Sequence, residues 1–124
     1  MKKQTKTSLK KKCDTLYSLI IRSKGYCEVC GKTENLQTHH VIGRINYILR
    51  WDLRNGVCAD PGCHMLNRNS AHNNPIFFIN WFKSTRPDDY EYLLTKKNTV
   101  KTFNILDYQQ ILKNLKEAYD TLNS

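Results

Sequence analysis

The chain has 124 residues and a formal net charge of +9, enough for one domain with a modest core. It holds no apolar run long enough to span a bilayer, and no apolar stretch follows its lysine-rich start, so neither a membrane segment nor a secretory signal is expected. Without export, the five cysteines are expected to be thiols or metal ligands in a reducing cytoplasm rather than disulfides.

The charge is lopsided. Residues 1–84 hold 14 Lys/Arg and 5 Asp/Glu, whereas residues 85–124 hold six of each. A basic half beside a neutral half marks a polyanion-binding face and argues against a merely solubilising surface.

In chain order, residues 1–12 read as a frayed basic arm, with Lys2, Lys3, Lys6, Lys10, Lys11 and Lys12 and no acid. Leu9, Cys13, Leu16 and Ile20 recur at helical spacing and Gly25 supplies a stop, which predicts a helix over about 7–23 with Cys13 as a small buried apolar residue. Residues 26–31 form a tight turn carrying Cys27 and Cys30. Residues 36–42 read as a strand with His39 and His40, residues 43–54 as a loop with Arg44, Arg50, Trp51 and Arg54, and residues 55–59 as a second strand. Asp60-Pro61 is a helix-start signal, so a helix over about 61–70 is predicted to carry Cys63 and His64. Three helices follow: the aromatic stretch 75–83, residues 87–97 with Asp88 and Asp89 at the positive end, and a last helix opened by Asp107 with Gln110 as a capping box. Trp51 is expected in the core, and His72 is expected at the surface or packed at a helix end.

Four cysteines form two pairs. Cys27-x-x-Cys30 supplies two thiolates from one turn, and Cys58 and Cys63 are expected to complete a tetrahedral structural zinc site. Buried free cysteines, or a site in which His64 replaces Cys63, are the alternatives. Such a site would contribute folding energy on the order of 10 kcal/mol, as in small zinc fingers.

His39-His40, Asn55 and His64 resemble the HNH motif of the ββα-metal, or His-Me finger, endonucleases. The cysteine frame, with Arg44, Leu49-Arg50-Trp51 and the Cys-His turn, is similar to the zinc-containing, NinG-like phage recombination endonucleases over about residues 26–70. The resemblance implies an α+β fold: a ββα-metal core (26–72) stapled by the four-cysteine zinc site, with an N-terminal helix and a helical tail (74–124). It implies hydrolysis of DNA, duplex or branched, in a bacterial and phage-borne setting. It makes His39 and His64 ligands of a catalytic divalent cation, with Mg²⁺ or Mn²⁺ first and Ni²⁺ or Zn²⁺ as alternatives. It makes His40 the general base and Asn55 the residue that pins the loop. Some members have a third ligand four residues after the first helix ligand. That position here is Arg68, so two protein ligands are expected.

The chemistry is coherent without the family name. Histidine titrates near neutrality and suits a base, a cation would stabilise the scissile phosphate and leaving oxygen, and Arg44 is the candidate for transition-state charge. Strand alternation sends His39 and His40 to opposite faces, so both serving one centre requires a bulge or a strand end. A non-catalytic zinc module that binds nucleic acid is the rival function, and a zinc-bearing protein-interaction domain is a third. Oligomeric state stays open.

Overall fold

The computed structural model describes residues 4–124; Lys2 and Lys3 of the basic arm lie outside the described residues. Among the described residues, five α-helices surround a two-stranded sheet. α1 spans Lys6–Arg22, β1 Gln37–His40, α2 Tyr47–Arg50 and β2 Gly56–Ala59. α3 spans Pro75–Thr85, α4 Pro87–Lys96 and α5 Ile105–Leu122.

Within the expected arm, residues 6–12 already belong to α1, in keeping with a helix expected from about residue 7. Thr5 caps α1 by accepting from Ser8 N (3.1 Å), so Lys6, Lys10, Lys11 and Lys12 ride on its first turns. Cations there oppose the helix dipole, but Leu9, Cys13, Tyr17 and Ile20 are buried against Trp51, Phe103, Tyr108, Leu112 and Leu115. Burying such an apolar stripe outweighs a terminal charge effect of less than about 1 kcal/mol. Cys13 is fully buried as expected, and burial pushes its thiol up to about 11. Trp51 lies in this same core. The box that starts α5 is Asn104 with Asp107, each side chain bonded to the other's backbone, and not Asp107 with Gln110. The N-cap is three residues earlier than the acid suggested.

A second core of Leu49, Val57, Ala71, Phe78, Phe82 and Leu93 joins the sheet to α3 and α4. Arg86, between those helices, donates to Gly56 O (2.8 Å) and Arg54 O (3.1 Å) and pairs with Asp89 (2.8 Å) and Glu28 (3.4 Å). One guanidinium thus ties the helical tail to β2 and to the cysteine turn.

β1 and β2 pair antiparallel with Thr38 opposite Cys58, His39 opposite Val57 and His40 opposite Gly56. These pairs follow one another without a bulge. α1 crosses tightly over Gly56: a Cβ there would collide with Ile21 Cδ1 and sit 2.7 Å from the Tyr17 hydroxyl. The connection between the strands is not an open loop, because α2 and a 3-10 turn over Leu53–Asn55 fill it. The predicted helix over 61–70 is instead a short π-helical turn, Gly62–Leu66. The chain then leaves it through Asn67 and Ser70, whose side and main chains hold a turn. Four asparagines and a serine within residues 67–74 favour such local bonds over helix propagation. The strand pair is therefore followed by a π-helical turn where the ββα reading expected an α-helix. No helix among the described residues is long and apolar enough to cross a membrane.

Candidate functional site

Among the described residues, two clusters of metal-ligating side chains flank the sheet. The first contains Cys27, Cys30, Cys63 and Asp60, whose ligand atoms all lie within 4.8 Å of one another. The turn holding Cys27 and Cys30 closes through Gly31 N to Cys27 O (2.8 Å) and Cys27 N to Lys32 O (2.7 Å). Gly31 turns through φ 84°, a left-handed conformation open to glycine. Glu28 stitches this turn to β2: its N donates to Cys58 O (2.9 Å) and its carboxylate accepts from Cys58 N (2.7 Å).

Cys58 was expected as a ligand, but among the described residues the group close enough to share one ion contains Asp60 in its place. Cys58 is inside β2, fully buried, one two-residue repeat before Asp60, or about 6.7 Å of extended chain. Its contribution is its backbone, which seats the cysteine turn. The Asp60 carboxylate accepts from Cys30 Sγ (3.1 Å) and from Gly62 N (3.0 Å). Burial pushes the Asp60 carboxyl up, but hydrogen bonds from the Cys30, Cys63 and Cys27 thiols outweigh this and hold it well below its usual range. Cys63 shifts the other way, raised by burial and by the Asp60 carboxylate beside it. Sulfur and oxygen ligands of one tetrahedral zinc lie about 3.6–3.8 Å apart, so three thiols and a carboxylate gathered within 4.8 Å could close on a structural zinc. The sequence signal was the spacing: Asp60-x-x-Cys63 restores the x2 pair that Cys58 to Cys63, with four residues between, did not.

The second cluster contains His39, His64 and His72. His39 meets His64 and His72 edge to face, with centroids 5.1 and 5.2 Å apart, and the His64 and His72 rings are tilted at 4.7 Å. Phe78 of α3 closes the apolar side of His39 at 4.7 Å. Gln37 Oε1 lies 2.7 Å from His64 Nδ1. An amide oxygen only accepts, so Nδ1 carries the proton and the lone pair of Nε2 faces the cluster. His72 Nε2 is 3.1 Å from that atom. Two nitrogens each about 2.0–2.1 Å from one ion, at tetrahedral or octahedral angles, would be about 2.8–3.4 Å apart. Burial, and then the charges of His64 and His72, lower the His39 pKa to about 3. Burial followed by His72 and His40 lowers that of His64. The imidazoles of His39 and His64 are thus neutral near pH 7, the form that binds a cation.

His72 is exposed, as expected, and also joins the cluster as its third member. The turn after Leu66 folds the chain back, so Ala71 N donates to Cys63 O (2.8 Å) and His72 N to His64 O (3.2 Å). Asn73 clasps the turn through Met65 O (2.8 Å) and Asn67 O (3.0 Å). The helical i+4 position, Arg68, is out of register because this stretch is not an α-helix. The cluster of Asn and Ser in residues 67–74 was the available signal.

His40 points to the other face, as alternation requires. Its ring stacks on Tyr17 at 5.1 Å, and Nε2 lies 2.9 Å from Arg50 O. A carbonyl only accepts, so Nε2 bears the hydrogen and Nδ1 keeps its lone pair. Burial lowers the His40 pKa, opposed by its bond to Arg50 O. Asn55 is fully buried and holds the inter-strand connection at three points: Oδ1 accepts from Ile42 N (2.7 Å), and Nδ2 donates to Ile42 O (2.9 Å) and Leu49 O (3.1 Å). Arg44 is not in the histidine cluster. It pairs with Asp14 of α1 (3.0 Å), which also accepts from Arg50 (2.6 and 3.0 Å) and Trp51 Nε1 (2.8 Å).

No protein-family model matches the chain, and no curated protein or solved structure matches it at a significant level.

Proposed function

We propose that the chain is a metal-dependent DNA endonuclease of the HNH class. The observation that carries this is the convergence of three imidazoles, His39, His64 and His72, on one point in a chain of net charge +9. A binding finger has no use for such a trio beside a separate thiol cluster.

A divalent cation held by these three histidines would supply a Lewis acid at the scissile phosphate and leaving oxygen. His40 is the last residue of β1, so although its ring lies on the opposite face from the three imidazoles, a phosphate spanning the strand end would meet both; there His40 would accept the proton of the attacking water at Nδ1 while the Arg50 carbonyl at Nε2 stabilises the imidazolium that results. Asn55 keeps that carbonyl in place by bonding the connection at Ile42 and Leu49. Arg44 turns from Asp14 to the phosphate. Its side chain is more than half exposed, and exposed ion pairs contribute only about 0–1 kcal/mol. A zinc held by Cys27, Cys30, Asp60 and Cys63 would fix the turn that carries His64. Three metal ligands on one ion raise affinity over the two expected.

The test is nicking of supercoiled plasmid with Mg²⁺ or Mn²⁺. His40→Ala is expected to abolish nicking while metal content and DNA affinity persist. His72→Ala is expected to lower metal affinity, with activity partly restored by excess Mn²⁺. Wild-type nicking by His40→Ala would remove it as base. DNA binding with no nicking under any divalent cation would favour the non-catalytic nucleic-acid-binding module.

A further inference from the structure

Ile45 is 94% exposed and Val100 is 93% exposed, although both are β-branched aliphatics of the kind found in cores. They belong to different loops that meet. Asn46 Nδ2 donates to Lys97 O (2.9 Å), and the two loops wall one cleft formed by residues 45–47 and 97–101. Cations surround the apolar tips. Residues 41–51 contain two arginines and no acid, and residues 94–103 contain three lysines and no acid. Lys96, Lys97 and Lys101 are exposed. Among the described acids, Asp14 pairs with Arg44 and Asp107 with Lys101 at 3.5 Å, and Asp52 lines the neighbouring cavity beside Tyr47 and Lys101. The ridge is also tied to the base: Arg44 and Arg50 share Asp14, and Arg50 O holds His40.

We propose that this ridge is a wedge for duplex DNA: Ile45 and Val100 enter a groove and part a base step while Lys96, Lys97 and Lys101 take the flanking phosphates. The inference rests on the nuclease reading for its partner and adds to it a bent substrate. The chemistry selects duplex DNA. Phosphates on both sides of a stacked apolar interior match a pair of aliphatic tips between cations, and apolar wedges at minor-groove steps kink the duplex. The bend exchanges unstacking for contacts with the base of the ridge, which leads to His40. Both tips are surface side chains with nothing to support in the fold, so substituting them leaves folding intact.

The full chain is titrated, without added divalent cation, into a duplex carrying donor and acceptor fluorophores at its ends, over a range of salt. Binding by the wild type is expected to bring the ends together. The Ile45→Ser, Val100→Ser double variant is expected to bind about a hundredfold more weakly, roughly tenfold for each aliphatic returned to water, with no bend and an unchanged salt slope. Lys96→Gln with Lys97→Gln is expected to keep the bend and flatten the slope by about two units. Wild-type affinity and bend in the double serine variant would overturn the wedge, as would a preference of the ridge for anionic phospholipid vesicles over DNA. Plasmid nicking with Mn²⁺ separates the two ideas. Nicking with an unaffected serine variant sinks the wedge alone, bending without nicking sinks the nuclease reading alone, and no DNA binding sinks both.

Discussion

Asn55→Ala removes three hydrogen bonds from one fully buried amide. Each neutral bond contributes about 1 kcal/mol net, and leaving buried partners unpaired adds to the loss. The Ile42 N–H and the carbonyls of Ile42 and Leu49 all lose their partner, so the expected destabilisation is about 4 kcal/mol. At roughly 2.1 cal/mol/K of unfolding entropy per residue, that lowers Tm by about 15 °C for a chain of this length. Thermal unfolding followed by circular dichroism in zinc-containing buffer measures it. Asn55→Asp sharpens the assay, since a carboxylate keeps the bond from Ile42 N but places two carbonyls against an anion, and it is expected to fall at least as far. A loss below about 1 kcal/mol in the alanine variant, no more than one ordinary hydrogen bond, would mean that the connection between the strands is held by α2 and its packing, and the pinning role would be lost.

Cys58→Ser is expected to keep about one tightly held zinc per chain, whereas Asp60→Ala loses it; metal analysis after dialysis against a chelator decides, and the reverse pattern would restore Cys58 as the ligand. Asp14→Asn probes pH. Burial raises the Asp14 pKa, but the Arg50 hydrogen bond and the Arg50 and Arg44 charges outweigh it, so the folded value is depressed. Its stabilisation is then present above the unfolded value of about 3.9 and fades as pH falls through the folded value. The stability gap between wild type and variant, measured by denaturant unfolding at several pH values, should close below about pH 4. A gap that widens there would refute the ion-pair account.

The helices were legible because each carries its own period and punctuation: Leu9, Cys13 and Ile20 are spaced for one face, Pro75 and Pro87 stand at first turns, and Gly25 follows the end of α1. The pairing of the strands, the burial of Trp51 and Cys13 and the opposite facing of His39 and His40 follow from equally local rules. The two candidate metal-ligating clusters were legible only in outline. Residue type named Cys27, Cys30, Cys63, His39 and His64, but which neighbours complete each cluster depends on where the chain turns after β2. The π-helical turn and the asparagine-held return loop bring His72, eight residues on, beside His64, and Asp60 rather than Cys58 among the thiols. Those closures arise from side-chain to backbone bonds between residues far apart in any regular period, such as Asn73 to Met65 O. Periodicity carries no record of them, and only the folded chain decides which ligands meet.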